Sequence, residues 1–343
     1  MTTSYPQPPY NPEIEAFLDS FPFPRIESLE QVAAIRSDPS KFISFHPDTL
    51  IAGRPITHTE RRVPSLYEGD PDILLSIFTR NTSHDSPRPC IYWVHGGGMI
   101  LGDRFGGLDR SLECVNDFDA VLISVEYRLA PDHPDPAPVN DSYSALFWVG
   151  AHVEELGIDP ERLLIGGGSA GGGIAAGTAL MARDLKGPKL SGQLLSSPML
   201  DDRNQTVSSL QFDDKAMWCR TTNLLAWNAL LSNKAGKEGV SIYAAPARAE
   251  NLVGIPETFI GVGSCDLFRD EDVLYAMKLW AAGVQAELHV YPGGTHGFEA
   301  FKPNIEISVA AIEAERRWLR KMLERKTDYS EKKETVVVEI AAL

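Results

Sequence analysis

Basic residues are in deficit. The 343-residue chain sets 32 lysines and arginines against 47 aspartates and glutamates, a formal net charge of −15. Nucleic acids and anionic membranes draw basic patches, so neither is expected as a partner, and the acidic balance carries no substrate information. Cysteine is scarce too. Cys90, Cys114, Cys219 and Cys265 are scattered with no C-x-x-C and no metal-ligand spacing, which leaves them as buried free thiols. There is no H-E-x-x-H and no paired histidine spacing, so no metal and no other cofactor is expected. Residues 1–24 lack a basic stretch followed by an apolar one and carry Glu13, Glu15 and Asp19, unlike a secretion leader. Ala341-Ala342-Leu343 is not a peroxisomal address. With no address, the cytoplasm is the expected compartment. Residues 165–182 form a charge-free window approaching membrane-spanning length, but glycines break it and a serine turn heads it, so no span is expected. No internal repeat is visible.

What is there is a globular composition, 43% apolar and 23% charged, in a chain long enough for one large α/β domain or two ordinary ones. Residues 1–12 hold Pro6, Pro8, Pro9 and Pro12 and read as irregular, whereas Ile14, Phe17 and Leu18, and then residues 29–35, have helical spacing. Edge strands are expected at 62–66 and 73–79, across the turn-rich Glu68-Gly69-Asp70-Pro71-Asp72. Buried strands at 90–94, 120–125, 163–165, 193–197, 258–263 and 286–291 alternate with helices at 142–155, 174–185, 273–282 and 306–326. That rhythm means an α/β fold, a mainly parallel sheet with helices on both faces. It breaks at 201–243, where Phe212, Met217, Trp218, Leu224, Leu225, Trp227, Leu230 and Leu231 stand at helical spacings without a strand. This stretch reads as a helical insertion and as a lid over the site.

The chemistry is placed at Gly166-Gly167-Gly168-Ser169-Ala170-Gly171-Gly172-Gly173, between an apolar strand and a helix opening at Ile174. Gly167, Ser169 and Gly171 fill the G-x-S-x-G pattern, which lifts a serine hydroxyl clear of the sheet on a strained turn. Alone, the pattern is weak in a chain with 28 glycines, and a glycine-rich packing turn would explain it equally well. A serine hydroxyl attacks a carbonyl only when a base takes its proton, and the base works better when an acid fixes its tautomer. Asp266 follows the strand at 258–263, and His296 follows the strand at 286–291 through Pro292-Gly293-Gly294-Thr295. Asp270, Glu271 and Asp272 are rival acids, but they suit a helix N-terminus in any case. His46, His58, His84, His133, His152 and His289 lack a glycine-rich loop after a strand. The oxyanion formed on attack needs N–H donors, which His95-Gly96-Gly97-Gly98 supplies after its strand: Gly97 and Gly98, with the amide of Ala170 as third. His95 is then structural. A phosphate loop is the rival reading, but Met99-Ile100-Leu101 is too apolar for it.

These residues resemble the hormone-sensitive lipase-like branch of the α/β-hydrolases, serine esterases with a helical cap. The resemblance runs through His95-Gly96-Gly97-Gly98 with Gly102-Asp103, Val125-Glu126-Tyr127-Arg128-Leu129-Ala130-Pro131-Asp132-His133-Pro134, and residues 167–172. It continues through Ser197-Pro198-Met199-Leu200-Asp201-Asp202-Arg203, Tyr243-Ala244-Ala245-Pro246-Ala247-Arg248, Asp266-Leu267-Phe268-Arg269-Asp270-Glu271 and His296-Gly297-Phe298. It implies an α/β-hydrolase fold, with Ser169 as nucleophile, His296 as base, Asp266 as orienting acid, and Gly97, Gly98 and Ala170 as oxyanion donors. It also implies N-terminal cap helices over residues 1–50 and a cap insertion at 201–243. The core then occupies 51–200 and 244–326, and a tail 327–343. Gly168, where the family usually has an acid or threonine, and Leu267, where it usually has proline, depart from the pattern without removing a catalytic group.

The expected function is hydrolysis of carboxylic esters of short to medium acyl chains through an acyl-enzyme, with no cofactor. The expected partner is a small-molecule ester, and the chain is expected to act as a monomer or homodimer. Met99, Phe212 and Trp218 are candidates for shaping the pocket. A lactone, amide or carbamate would suit the same three residues, since pocket shape decides the leaving group. A non-catalytic small-molecule receptor on the same fold is the alternative of a different class, and the presence of His296 speaks against it.

Overall fold

The computed structural model describes residues 5–21, 25–38, 46–82 and 86–327. His84 and residues 328–343, including Val336-Val337-Val338, lie outside the described residues. The chain opens with three short helices: α1 (Pro12–Ser20), α2 (Leu29–Arg36) and α3 (Pro47–Ile51). Each start has a local cause. Asn11 accepts from the Glu13 and Ile14 amides ahead of Pro12, and Ser28 forms a reciprocal capping box with Gln31.

Eight strands then form one sheet: β1 (Ile56–Val63), β2 (Ile73–Arg80), β3 (Arg88–Val94), β4 (Val121–Glu126), β5 (Ile158–Gly168), β6 (Gly192–Ser196), β7 (Thr258–Gly263) and β8 (Ala286–Tyr291). Their order across the sheet is β1-β2-β4-β3-β5-β6-β7-β8. The β1–β2 and β2–β4 pairs are antiparallel, and every pair from β4 to β8 is parallel. Parallel neighbours need crossovers, which α4 (Asp109–Phe118), α5 (Ala137–Ala151), α6 (Ala170–Asp184) and α9 (Arg269–Ala281) supply.

Strand alternation sends side chains to two cores. Cys90, Tyr92 and Val94 of β3 join α5, α6 and α9 on one face, while Ile91 and Trp93 join α4 and α11 (Glu306–Leu323) on the other. Each fully buried large side chain here, such as Trp318, contributes about 1.5–3 kcal/mol. All four cysteines are buried and free. Among the described residues no helix is long and apolar enough to cross a membrane.

Several boundaries differ from the sequence expectation. The first edge strand is Ile56–Val63 rather than 62–66, and residues between its ends are mostly exposed, so apolar alternation never marked it. Helix α5 begins at Ala137, five residues earlier than expected, because proline at its second position is compatible with a first turn. The insertion holds two helices only, α7 (Val207–Gln211) and α8 (Arg220–Leu230). Between them the chain turns back, and Asp213 accepts the Thr221 amide at 2.7 Å.

Candidate active site

Strand β5 ends one residue before Ser169, and α6 begins one residue after it, not at Ile174. Glycine propensity argues against helix at 171–173, but here the backbone must pass close to its neighbours. A Cβ on Gly171 would lie 2.1 Å from the Val94 carbonyl oxygen, and one on Gly167 would lie 2.4 Å from the Gly171 carbonyl. Ser169 itself has φ 56 and ψ −126, a conformation that costs about 1–3 kcal/mol. It is held there by its own backbone bonds. The Ser169 amide donates to the Ser196 carbonyl at 2.8 Å, and its carbonyl accepts from Gly173 at 3.1 Å and Met199 at 2.9 Å.

The loops after β7 and β8 bring two side chains to this turn. His296 Nε2 is 3.0 Å from Ser169 Oγ, and His296 Nδ1 is 2.8 Å from Asp266 Oδ2. A carboxylate only accepts, so Nδ1–H donates to Asp266 and the lone pair of Nε2 faces the serine hydroxyl. Asp266 is 1% exposed, and its second oxygen accepts the Phe268 amide at 3.0 Å. The Phe268 ring meets the imidazole edge-on at 5.2 Å. Burial alone would lower the His296 pKa, but the Asp266 charge and hydrogen bond, with a further contribution from Glu299, outweigh it and raise it. The imidazole therefore becomes neutral at a higher pH than a free histidine, so any reaction that needs neutral His296 slows as pH drops through that raised value. The same shift means that protonated His296 stabilises the fold at low pH, a contribution lost as pH rises through the raised value.

None of the rival acids bonds the imidazole, and two of them are engaged elsewhere. Glu271 accepts the Leu200 and Asp201 amides at 2.7 and 3.0 Å, and Asp270 accepts the Ser208 amide at 2.7 Å. Asp272 is fully buried, and burial with the nearby Glu271 and Asp266 charges pushes its carboxyl well above the usual range. Of the other histidines, His58 meets Ser76, His152 meets the Trp148 carbonyl and His289 meets Glu287. His95 is buried, stacks on Tyr127 at 4.1 Å, and its Nδ1 meets the Gly96 carbonyl at 2.8 Å.

Gly97 and Gly98 stand at φ 112 and 64 on the loop after β3, and Ala170 opens α6. The carbonyl of Gly97 accepts from Ile100 and Leu101 at 3.1 and 2.8 Å, which closes the turn. Among the described residues no acceptor takes the N–H of Gly97 or Gly98. Ala170 is at the first helical position, where an N–H has no intrahelical partner. The three pocket candidates separate. Trp218 lies directly on the loop after β3, since a Cβ on Gly98 would be 2.4 Å from its ring. Met99 is 1% exposed, with its methyl group toward Gly173, and Phe212 is fully buried with its ring edge-on to Tyr10 at 6.1 Å.

Sequence reasoning missed what orients these groups. Trp218 Nε1 donates to Asn223 Oδ1 at 3.0 Å, and Asn223 donates to Asn204 at 3.2 Å, both asparagines being fully buried. Ser196 and Glu299 were missed as well, although both lie within three residues of quoted motifs.

Residues 91–300 match the model of a family described by the alpha/beta hydrolase fold. Carboxylesterase NlhH of Mycobacterium tuberculosis is 35% identical over 303 residues, 86% of this chain and 90% of that protein. Esterase LipI of the same organism is 34% identical over 266 residues, 76% and 82% of the two chains. Among solved structures, a bacterial heroin esterase aligns with a TM-score of 0.84 at 36% identity, covering 92% of this chain and 98% of that one. Esterase LipW from Mycobacterium marinum aligns at 0.79 and 30%, with 92% and 98% covered. The chain belongs to the α/β-hydrolase fold family, in its hormone-sensitive lipase-like branch.

Proposed function

We propose that this chain is a carboxylic ester hydrolase working through an acyl-enzyme, with Ser169, His296 and Asp266 as its catalytic residues. The observation that carries the reading is the unbroken hydrogen-bonded line from Ser169 Oγ through both imidazole nitrogens to a buried carboxylate. Ser169 Oγ attacks the ester carbonyl while its proton passes to His296 Nε2. The oxyanion takes the N–H groups of Gly97, Gly98 and Ala170, whose fixed directions favour the tetrahedral state over the ground state. His296 then gives its proton to the leaving alcohol, and water repeats the sequence against the acyl-serine ester. The esterases among the relatives support the ester as the substrate.

Residues 1–50 and 201–243 are read as a cap over the core formed by 51–200 and 244–326. Ties between the two cap pieces support this: the Ile26 amide donates to Thr222 Oγ1 at 3.0 Å, and Lys215 pairs with Glu15 and Asp19. Trp218 in the insertion, resting on Gly98, favours short and medium acyl chains by limiting room beside the reacting carbonyl. Four buried free thiols suit a reducing cytoplasm. The partner is a small-molecule ester, met by a monomer or homodimer. Replacing Ser169 with alanine should abolish turnover of p-nitrophenyl esters and labelling by a fluorophosphonate probe. Turnover persisting at the wild-type rate refutes the assignment. A ladder of p-nitrophenyl esters from acetate to palmitate reads the acyl preference.

A further inference from the structure

Three residues beyond His296, helix α10 (Phe298–Phe301) carries Glu299, whose carboxylate is 11% exposed. Glu299 Oε1 accepts from Ser196 Oγ at 3.3 Å and faces Arg110 of α4 at 3.5 Å. Arg110 Nε donates on to Glu315 of α11 at 2.8 Å. Ser196 is the same residue whose carbonyl accepts the Ser169 amide. A single carboxylate thus stands three residues along the chain from His296, and one hydrogen bond joins it to the strand end that holds the Ser169 turn. A shallow surface dent beside it is lined by Ser196, Tyr291, Phe298, Glu299 and Glu315.

The ionisable groups around these residues are few. Asp266 and Glu299 act on His296, and Arg110, Glu315 and Tyr291 surround Glu299, with Glu113 beside Glu315. Burial, against the pull of Arg110, raises the Glu315 carboxyl, and burial with the nearby Glu315 and Glu299 charges raises the Tyr291 hydroxyl. Tyr291 therefore stays neutral. The hydrogen-bond partners of Glu299 are Ser196 and Arg110, so it can act on the imidazole only through space and through the loop it stands on.

We propose that Glu299 is a positioning residue for the hydrolytic reaction: anchored by Arg110 and Ser196, its carboxylate holds the His296 loop against the Ser169 turn and stabilises the imidazolium formed during attack. The inference rests on the hydrolase reading above. A second negative charge near the imidazolium, held in a site with little water, has a long reach because screening is weak there.

The test compares wild type, E299Q and E299D by kcat and KM for p-nitrophenyl butyrate across the imidazole pH range. It also follows direct NMR titration of the His296 imidazole in an S169A background. E299Q is expected to lower kcat by roughly threefold to thirtyfold with KM within about twofold, and to move the acid limb down by about half a pH unit. E299D, which keeps the charge, is expected to return the limb toward wild type. A folded E299Q with an unmoved limb and an unmoved imidazole titration overturns the inference, even if kcat falls, because loss of packing alone does that. If neither E299Q nor E299D folds, Glu299 is a folding element, and the inference is again overturned. A wild type without hydrolase activity refutes the hydrolase reading instead, and the imidazole titration then judges Glu299 by itself.

Discussion

The strand-end turn around Ser169 and the contacts that join the N-terminal segment to residues 201–243 are held by different forces. At the turn, backbone meets backbone: Gly171 against Val94, Gly167 against Gly171, and Ser169 bonded at both its amide and carbonyl. Between the N-terminal segment and residues 201–243, polar side chains reach across partly open gaps. Arg25 pairs with Asp213 with side-chain exposures of 39% and 35%, and Tyr10 and Gln7 donate to carbonyls of Lys215 and Gln211. Close-packed backbone has no alternative arrangement at similar energy, whereas solvated pairs contribute little and can be exchanged. The residues proposed to react therefore stand in the close-packed region, whereas Trp218, proposed to shape the pocket, stands on the segment that these solvated pairs attach.

The sharpest way to test that contrast is at the carboxylate. Asp266→Asn should cost about 10⁴-fold in kcat by permitting the wrong imidazole tautomer, with the fold retained by circular dichroism. A loss below tenfold would mean that the base is oriented by something other than Asp266. Next in size is the turn itself. Gly171→Ala places a methyl group 2.1 Å from the Val94 oxygen, so denaturant unfolding should show a loss of about 3 kcal/mol or more, or no folded protein. A tolerated alanine breaks the picture of an inflexible turn.

On the cap side the expected effects are smaller and differ in kind. Trp218→Ala frees space beside Gly98, so the p-nitrophenyl ladder should shift toward longer acyl chains by roughly 10- to 200-fold in relative kcat/KM, with thermal stability moving less than for Gly171→Ala. Arg25→Ala should change stability by about 0–1 kcal/mol and leave the acid limb of the pH profile in place. A larger loss of stability would show that the cap is bound as firmly as the core.

Much of the fold was legible because buried parallel strands advertise themselves. Strands β7 and β8 match their expected bounds residue for residue, since each is a short β-rich run ended by glycine or proline. Strand β1 was expected at 62–66 and runs instead over Ile56–Val63, because Thr57, Thr59, Glu60 and Arg61 belong to an edge whose identity comes from pairing with β2. Helix α6 was expected four residues late because glycine disfavours helix in isolation, and only the closeness of Val94, Pro198 and Met199 explains why three glycines stand in its first turn. Of the pocket candidates, Trp218 reaches the loop after β3, whereas Phe212 is buried against Tyr10, a difference helical spacing cannot contain.

Read alone, the sequence determined the order of the elements and singled out Ser169, His296 and a short list of acids headed by Asp266 as candidates, because motif glycines and strand-end positions are local properties written in neighbouring residues. Only the tertiary structure decided that Asp266 rather than Glu271 meets the imidazole, that Asn223 and Asn204 lock Trp218, and that Glu299 is tied to Ser196 and Arg110. Those contacts join residues up to 189 positions apart. Which distant partners meet is set by how the sheet and helices pack, a property no local stretch of chain possesses.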